Sequence, residues 1–296
     1  MNEKKLIGVI GLGNMGRGMA LSLLRGGYDV LGLDKNPQTA ALAQAEGVTV
    51  AADLAQVVAR CETIVLSLPT SAIVRALLVG EQGVQSLAVR ALTIIDTTTA
   101  DPEVTRELAT VLRTSDIILL DAPVSGGPGG ALRGELTMFL GGDEAEVERA
   151  RPVLSAMGSK LFHIGSTGAG NVAKIVNNLL TAAQLLTAGE AFRMAEAAGV
   201  KTEQLLDAVN AGSGRSGVTL FNYPNRIMPG TFNSGFTMQL MRKDVALAVS
   251  LYEKLGVDVP VTKEVAELWR DSADTLADGE DFNRIVNYRR ASVNQP

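Results

Sequence analysis

The feature that most constrains this chain is a glycine-rich turn between an apolar run and a helical segment. Residues 6–10 (LIGVI) form a short apolar run, which is typical of a buried parallel strand. The turn GLGNMG follows at residues 11–16, and after it come a helical segment and a second apolar run that ends in Asp34. This order of strand, glycine turn, helix, strand and acid predicts a βαβ unit that binds a dinucleotide.

Each glycine of this turn has a physical role. Gly11 permits the tight turn, Gly13 lets the backbone approach a pyrophosphate, and Gly16 lets the helix lie close to the strand. The N–H groups at the start of the helix carry partial positive charge and suit phosphate oxygens. The residues expected to bind the cofactor here are Gly11, Leu12, Gly13, Asn14, Met15 and Gly16.

Asp34 indicates which dinucleotide is bound. A carboxylate at this position can accept hydrogen bonds from the ribose hydroxyls and would repel a 2′-phosphate, so we expect NAD rather than NADP. The neighbouring Lys35 could supply a compensating positive charge. The next residues, Asn36 and Pro37, are typical of an N-cap and a first helical position.

Apolar runs continue to alternate with helical segments through the first half of the chain. The predicted strands are residues 48–51, 63–69, 92–99 and 116–124, and the predicted helices between them include 53–60, 71–79 and 102–113. Such alternation predicts an α/β fold with a doubly wound parallel sheet. Ligands bind beyond the carboxyl ends of such strands, so the candidate lining residues are Leu68, Pro69, Thr99 and residues 121–127, although each could be an ordinary turn.

The loop DAPVSGGPGGA, residues 121–131, directly follows a predicted strand. Its backbone N–H groups and the hydroxyl of Ser125 suit a carboxylate. The alternative is a flexible connection, but the position at the edge of the sheet favours a binding loop.

After residue 165 we find no convincing strands. The segment from Asn171 to about Ala198 has the pattern of one long helix, and segments 202–210, 237–254 and 261–277 also have helical patterns. We therefore expect two domains, an α/β domain over residues 1–165 and an all-helical domain over residues 166–296.

Lys174 and Asn178 interrupt the apolar pattern of the long helix and lie one turn apart. A solvent-facing lysine is the common alternative. However, no other charge occurs between Lys174 and Glu190, which indicates a buried segment. A buried lysine must be paired, hydrated or functional, and burial lowers the pKa of a lysine into a range that suits proton transfer. Lys174 is thus the candidate to accept an alcohol proton during hydride transfer, with Asn178 orienting it or the substrate.

Composition excludes other kinds of chemistry. The chain has one histidine, His163, and one cysteine, Cys61, so a zinc site of the usual type is not expected and no metal is predicted. We expect His163 to be structural or solvent-facing and Cys61 to be a small core residue. The net charge of −5 argues against a nucleic-acid partner. The N-terminus is typical of a first strand rather than a signal peptide, and no apolar run is long enough for a membrane span, so a cytoplasmic protein is expected.

Four motifs occur in a characteristic order: GLGNMG, DAPVSGG, GAGNVAKIVNN and MRKD. In this the chain resembles the β-hydroxyacid dehydrogenases, which include 3-hydroxyisobutyrate dehydrogenase, tartronate semialdehyde reductase and the related 6-phosphogluconate dehydrogenases. The resemblance covers essentially the whole chain. It implies an N-terminal Rossmann domain, an all-helical C-terminal domain and an active site in the cleft between them.

The resemblance also implies roles for particular residues. Lys174 matches the catalytic lysine, Asn178 the asparagine one turn later, and Lys243 a lysine that reaches the cofactor and closes the cleft. From the residues alone, Lys243 would be placed at the surface. The substrate carboxylate would be held by Ser125, Gly126 and Gly127. Contacts on the nicotinamide side would come from Leu68, Pro69 and Thr99.

The sequence departs from the family pattern in places. DTTT replaces the more usual serine–threonine pair, and the glycine loop continues as GGPGGALRG. Residues 212–226 lie where the substrate pocket of the family varies. Arg215, Phe221, Asn222 and Tyr223 are candidates for setting substrate preference, and a surface loop between helices is an equal alternative.

Together these patterns predict an NAD-dependent oxidoreductase that transfers a hydride between nicotinamide and a small 3-hydroxy acid such as 3-hydroxyisobutyrate, glycerate, threonate or serine. In reverse it would be a semialdehyde reductase. An imine reductase on the same scaffold is the second hypothesis, although imine-reducing relatives usually lack the lysine. A nucleotide-sensing reader protein is a third, disfavoured because no basic tail is present. The apolar second half predicts a homodimer or homotetramer.

Overall fold

The computed structural model describes residues 5–289. Residues 1–4 and 290–296, the outer ends of the two predicted domains, lie outside the described residues. Contacts within the chain divide it into an N-terminal unit, residues 1–174, and a C-terminal unit, residues 175–296. The predicted fold class is confirmed, because the N-terminal unit is built on a mostly parallel sheet of the Rossmann type and the C-terminal unit is helical.

The strands predicted from apolar runs form the parallel part of the sheet. Their order is β3-β2-β1-β4-β5-β6, and neighbouring strands in this order are parallel. The order reverses between β1 and β4, the place where such sheets bind ligands. The strands are Leu6–Ile10 (β1), Asp29–Leu33 (β2), Thr49–Val50 (β3), Thr63–Leu66 (β4), Leu92–Asp96 (β5) and Ile117–Asp121 (β6).

Helices connect these strands, and most of them begin at a capping side chain. Asn36, Asp53, Thr70 and Asp101 each accept a hydrogen bond from a first-turn N–H group. This satisfies N–H groups that have no partner inside the helix. The helices are Asn14–Arg25 (α1), Pro37–Ala45 (α2), Leu54–Arg60 (α3), Ser71–Val79 (α4), Val84–Leu87 (α5) and Pro102–Arg113 (α6).

The central strands bury side chains on both faces of the sheet. Val65 and Ile95 belong to one apolar cluster, whereas their chain neighbours Ile64 and Ile94 belong to another. Because side chains alternate along a strand, the two clusters lie on opposite faces. Burial on both faces explains why these strands appear in the sequence as continuous apolar runs.

The sheet continues beyond β6 with elements that the sequence analysis did not assign. Strand β8 is antiparallel to both β6 and β7, and the two pairings have the same register. The interruption between β6 and β7 contains Pro123, which has no N–H group to donate. Strand β9 pairs parallel to β8. The elements are Val124–Ser125 (β7), Gly127–Arg133 (α7), Leu136–Gly141 (β8), Glu144–Met157 (α8) and Gly158–Gly165 (β9).

The C-terminal unit is helical, and within residues 175–289 the structure shows no strand. The long helix was predicted within two residues of its ends, whereas the helix predicted over 261–277 ends at Asp271 and continues as a short 3₁₀ turn. Trp269 is fully buried and donates from Nε1 to the carbonyl of Ala182 at 3.2 Å. The helices are Ala169–Ala197 (α9), Thr202–Ala211 (α10), Met238–Leu255 (α11) and Pro260–Asp271 (α12).

Residues Val218–Ile227 form a π-helical segment. A surface loop is therefore the wrong interpretation for this part of the segment 212–226.

None of the helices within residues 5–289 is both long and apolar enough to cross a membrane.

In the glycine turn after β1, Gly16 is tightly packed, whereas Gly13 borders open space. Gly11 adopts φ +89° and donates its N–H to the carbonyl of Leu33 at 2.8 Å. A Cβ atom on Gly16 would lie 1.8 Å from the carbonyl oxygen of Gly11, closer than any real contact. A Cβ atom on Gly13 would meet nothing within 4 Å. The backbone therefore packs tightly at Gly16, as predicted, and the space beside Gly13 is open.

We expect Gly16→Ala to lower the free energy of unfolding by about 3 kcal/mol or more, because a methyl group cannot share the space of a backbone oxygen. Thermal unfolding should then show a Tm lower by roughly 6–12 °C. Gly13→Ala adds the same methyl group in open space and should shift Tm by no more than about 2 °C. Equal Tm values for the two variants would contradict the packing role of Gly16.

Candidate functional site

The start of α1 offers backbone N–H groups to a ligand. Gly13 is the N-cap residue and has no side chain with which to cap them. The space next to Gly13 is open, so a ligand can approach the backbone there. Uncapped N–H groups at a helix start bind phosphate. The turn, which includes Leu12, Asn14 and Met15, therefore fits the pyrophosphate of a dinucleotide.

Asp34 lies directly after β2 and is half-buried. Its Oδ2 accepts the N–H of Leu12 at 2.7 Å, and its Oδ1 accepts the N–H of Asn36 at 2.8 Å. Sequence reasoning missed the bond to Leu12, by which Asp34 orders the glycine turn. Each carboxylate oxygen can accept a further hydrogen bond, so the predicted contact with ribose hydroxyls remains chemically open. Lys35 is exposed.

The loops after β4 and β5 are tied together by threonines. Thr97 donates its hydroxyl to the carbonyl of Leu66 at 2.6 Å, and Thr98 Oγ1 accepts the N–H of Leu68 at 3.2 Å. Thr97 and Thr98 are buried, whereas Thr99 is half-buried. The run DTTT thus has two structural threonines, and Thr99 stays the candidate for cofactor contact. Leu68 is half-buried and Pro69 is exposed at the same edge.

The loop from Ser125 to Gly127 has a defined conformation. Ser125 pairs with Thr137 in the sheet, and Gly126 and Gly127 adopt φ of +132° and +63°. These positive φ values require glycine. The alternative of a flexible connection is not supported, because the loop is held by the sheet on one side and by helix α7 on the other. Its role in holding a carboxylate stays a prediction.

Asp121, at the end of β6, anchors the start of α9. It is 0% exposed, and its Oδ1 and Oδ2 accept the N–H groups of Gly168 at 2.7 Å and Asn171 at 2.9 Å. Burial raises the pKa of Asp121, and these backbone hydrogen bonds oppose the increase. A Cβ atom on Gly170 would lie 2.3 Å from the carbonyl oxygen of Phe139, so this close approach requires glycine. Sequence reasoning listed Asp121 as a lining residue and missed its anchoring role.

Lys174 follows Asn171 by three residues along α9 and is 7% exposed. The alternative of a solvent-facing lysine is therefore wrong. The start of α9 is bonded to the end of β6 through Asn171, so Lys174 follows this attachment by three residues, and its catalytic role stays a prediction. Asn171, with which the predicted long helix began, is fully buried.

Within the C-terminal unit, Asn178 and Lys243 meet at a buried carboxylate. Asp244 is 1% exposed and accepts a hydrogen bond from Asn178 Nδ2. Lys243 Nζ lies 2.8 Å from Asp244 Oδ1. Sequence reasoning named Asn178 and Lys243 but missed Asp244, although the acid stands in the quoted motif MRKD.

The residues proposed to set substrate preference differ in their surroundings. Tyr223 is buried against Phe192 with ring centroids 4.5 Å apart, and burial raises the pKa of Tyr223 to about 12. Asn222 donates from Nδ2 to Asn283 Oδ1 at 2.6 Å. Tyr223 is part of the helical core, which argues against a direct role in selecting the substrate, whereas Asn222 is half-buried. Arg215 and Phe221 are exposed.

The single cysteine and histidine have structural surroundings. Cys61 is a buried core residue, as expected, and burial raises the pKa of its thiol to about 11. His163 Nε2 lies 2.9 Å from the carbonyl oxygen of Gly142 and 3.0 Å from that of Gly165. Among residues 5–289, no group of three or more His, Cys, Asp or Glu side chains is arranged to hold a metal ion.

Both parts of the chain match described domain families. Residues 6–165 match the NAD-binding domain of 6-phosphogluconate dehydrogenase. Residues 168–289 match a family described as NAD-binding of NADP-dependent 3-hydroxyisobutyrate dehydrogenase. An NAD(P)-binding function for the chain follows from these matches.

Individual proteins are similar over the whole chain. The 2-(hydroxymethyl)glutarate dehydrogenase of Eubacterium barkeri is 34% identical, with 97% of this chain and 95% of the relative covered. The structure of 3-hydroxyisobutyrate dehydrogenase from Mycobacterium tuberculosis with L-serine is 34% identical, with a TM-score of 0.89 and coverage of 98% and 100%. The structure of 3-hydroxyisobutyrate dehydrogenase from Salmonella typhimurium is 30% identical, with a TM-score of 0.83 and coverage of 96% and 99%. With its motifs, its fold and these matches in agreement, the chain belongs to the β-hydroxyacid dehydrogenase family of oxidoreductases, as a 3-hydroxyisobutyrate dehydrogenase-like member.

Proposed function

We propose that this chain is an NAD-dependent dehydrogenase of small 3-hydroxy acids in which Lys174 transfers the hydroxyl proton. The observation that carries the proposal is the position of Lys174. It is buried one turn after a helix start that is hydrogen-bonded to the loop after β5 and to the end of β6. Nicotinamide cofactors and their substrates bind at this edge of a doubly wound sheet. A buried amine at this edge suits general acid–base catalysis.

The substrate class is supported by the chemistry that the relatives share. 3-Hydroxyisobutyrate, 2-(hydroxymethyl)glutarate and L-serine each carry a hydroxymethyl group on the carbon that bears a carboxylate. They differ in the third substituent, which is a methyl, a carboxyethyl or an ammonium group. We infer that this chain recognises the shared unit. Glycerate contains the same unit, and threonate carries its 3-hydroxyl group on a longer chain.

Residues of this chain have distinct tasks in the proposed reaction. Ser125, Gly126 and Gly127 hold the substrate carboxylate through a hydroxyl and backbone N–H groups. The bound nicotinamide supplies hydride acceptance at its C4 during oxidation and hydride donation in reverse. Lys174, as a neutral amine, accepts the proton of the substrate hydroxyl. In the reverse direction its ammonium returns that proton to the carbonyl oxygen of the semialdehyde.

Asn178 and Lys243 have supporting tasks in this proposal. Asn178 lies one turn beyond Lys174 on α9, the spacing at which two side chains share a target. It would orient the amine or the substrate hydroxyl, and its bond to Asp244 restrains the amide for that purpose. Lys243, restrained by the same carboxylate, would contact the cofactor.

Self-association is supported by exposed apolar side chains on α9. Leu180 is 55% exposed and Met194 is 72% exposed. Exposed apolar groups of this size commonly mark an interface. We propose a homodimer or a homotetramer.

We expect Lys174→Ala to lower kcat for oxidation of a 3-hydroxy acid by about 10³-fold, because general acid–base catalysis typically contributes 10²- to 10⁴-fold. Steady-state rates of NADH formation with 3-hydroxyisobutyrate, glycerate and L-serine measure this effect. The Kd for NADH, measured by fluorescence titration, should stay within about threefold of the wild-type value, because the cofactor cradle is unchanged.

Two further variants separate proton transfer from positive charge. Lys174→Arg keeps a cation but cannot be deprotonated, so it should be as inactive as the alanine variant. Lys201→Ala removes an exposed lysine and should leave kcat unchanged. Near-normal kcat in Lys174→Arg would show that Lys174 binds charge rather than transferring a proton.

We expect the wild-type protein to prefer NAD, and Asp34→Asn to raise the ratio of kcat/KM for NADP to that for NAD by about 10-fold or more. The substitution removes the negative charge that repels the 2′-phosphate and keeps an oxygen for the N–H of Leu12. Lys35→Ala, which removes the positive charge at the neighbouring residue, is the matched control variant. Should Lys35→Ala reduce activity with NADP while Asp34→Asn leaves the ratio unchanged, Lys35 rather than Asp34 would determine cofactor choice.

A further inference from the structure

The backbone N–H and both side-chain polar atoms of Asn171 form hydrogen bonds with three different elements of the N-terminal unit. Its backbone N–H donates to Asp121 Oδ2 at 2.9 Å, at the end of β6. Its side-chain Oδ1 accepts the N–H of Ala100 at 3.0 Å, in the loop after β5. Its Nδ2 donates to Thr105 Oγ1 at 3.1 Å, in α6. The residue is 0% exposed, so these bonds are shielded from water.

The side chain of Asn171 is not used to begin α9. Asp121 accepts the N–H of Gly168, the residue before the helix, and the N–H of Asn171, in its first turn. The amide of Asn171 instead reaches across to the loop after β5. Helix capping alone therefore does not account for this side chain.

The loop that Asn171 holds is the one that carries Thr99. On the side of β4, Thr97 is bonded to Leu66 and Thr98 accepts the N–H of Leu68. On the side of α9, the next residue after Thr99 is bonded to Asn171. Thr99 lies between these attachments, so its position depends on both.

We propose that Asn171 is a positioning residue that sets the distance between Thr99, on the nicotinamide side, and Lys174, the proton acceptor. This inference rests on the proposed function. In alcohol oxidation the hydride and the proton leave one H–C–O–H group, so the hydride acceptor and the amine must be placed correctly at the same time. A misplacement of about 1 Å can cost about 100-fold in rate.

The kinetic test uses Asn171→Ala, with Asn171→Ser as a second variant should the first not fold. Removal of the amide releases the N–H of Ala100 and lets the Thr99 loop move relative to α9. We expect kcat to fall by about 30- to 100-fold, whereas the Kd for NADH stays within about threefold, because the glycine turn and Asp34 are untouched.

Thr105→Val is the matched control. It removes the partner of Asn171 Nδ2 and leaves the bond from Ala100 to Asn171 Oδ1 in place. It also removes the bond from the Thr105 hydroxyl to the carbonyl of Asp101 at 3.2 Å, but that carbonyl still accepts the N–H of Thr105 at 3.0 Å. Like the alanine variant it leaves a buried polar group unpaired, so the two should lose similar stability. We expect its kcat to stay within about threefold of the wild-type value. A role in stability alone predicts equal changes in kcat for both variants, and that result would overturn the proposal.

Hydrogen exchange measured by mass spectrometry provides a second test that needs no substrate. In Asn171→Ala or Asn171→Ser, the peptides that cover residues 97–101 should exchange at least about tenfold faster than in the wild type, and those of Thr105→Val should not. Unchanged exchange at residues 97–101 would overturn the proposal even if activity were lost. A wild-type protein inactive on all 3-hydroxy acids would overturn the proposed function, and the exchange data would still decide whether Asn171 holds the loop.

Discussion

The arrangement of the N-terminal unit depends on one buried carboxylate. Asp121 ends a central strand and accepts the N–H groups that begin the longest helix described. A buried carboxylate is costly unless it is hydrogen-bonded, and a helix start has N–H groups that need acceptors. Each group therefore satisfies the other. As a result the end of β6 determines where α9 begins, and this also determines the positions of the residues in its first turns.

Other hydrogen bonds extend this anchor along the edge of the sheet. Asn171 joins the start of α9 to the loop after β5, and Thr98 joins that loop to the one after β4. Asp34 does the same for the glycine turn, through Leu12. Polar side chains at the carboxyl ends of the strands thus connect one loop to the next. Loops that are connected in this way can hold ligand-binding groups in place with little reorganisation. The C-terminal unit repeats the principle, because the buried Asp244 holds both Asn178 and Lys243.

Much of the fold was predictable, because its main elements have strong local signals. Parallel strands buried on both faces appear as continuous apolar runs, and helices α2, α4 and α6 begin at capping residues. Strands β8 and β9 were missed because their runs mix apolar residues with glycine, threonine and lysine and have no clear period. Tyr223 was named for substrate preference, yet it packs on Phe192, a partner far away in the sequence. Such partners leave no local pattern.

The sequence by itself determined the βαβ unit, the parallel sheet, the helical second half and the identity of the unusual buried lysine. These follow from spacing along the chain, because glycine conformation, apolar periodicity and isolated charges in apolar segments act locally. Only the tertiary structure decided which polar groups hold the site together. Asp121, Asn171 and Asp244 are common residue types, and their importance comes from hydrogen bonds to groups distant in the chain. Whether a carboxylate or an amide is buried and paired depends on the packing around it, which the order of residues does not show.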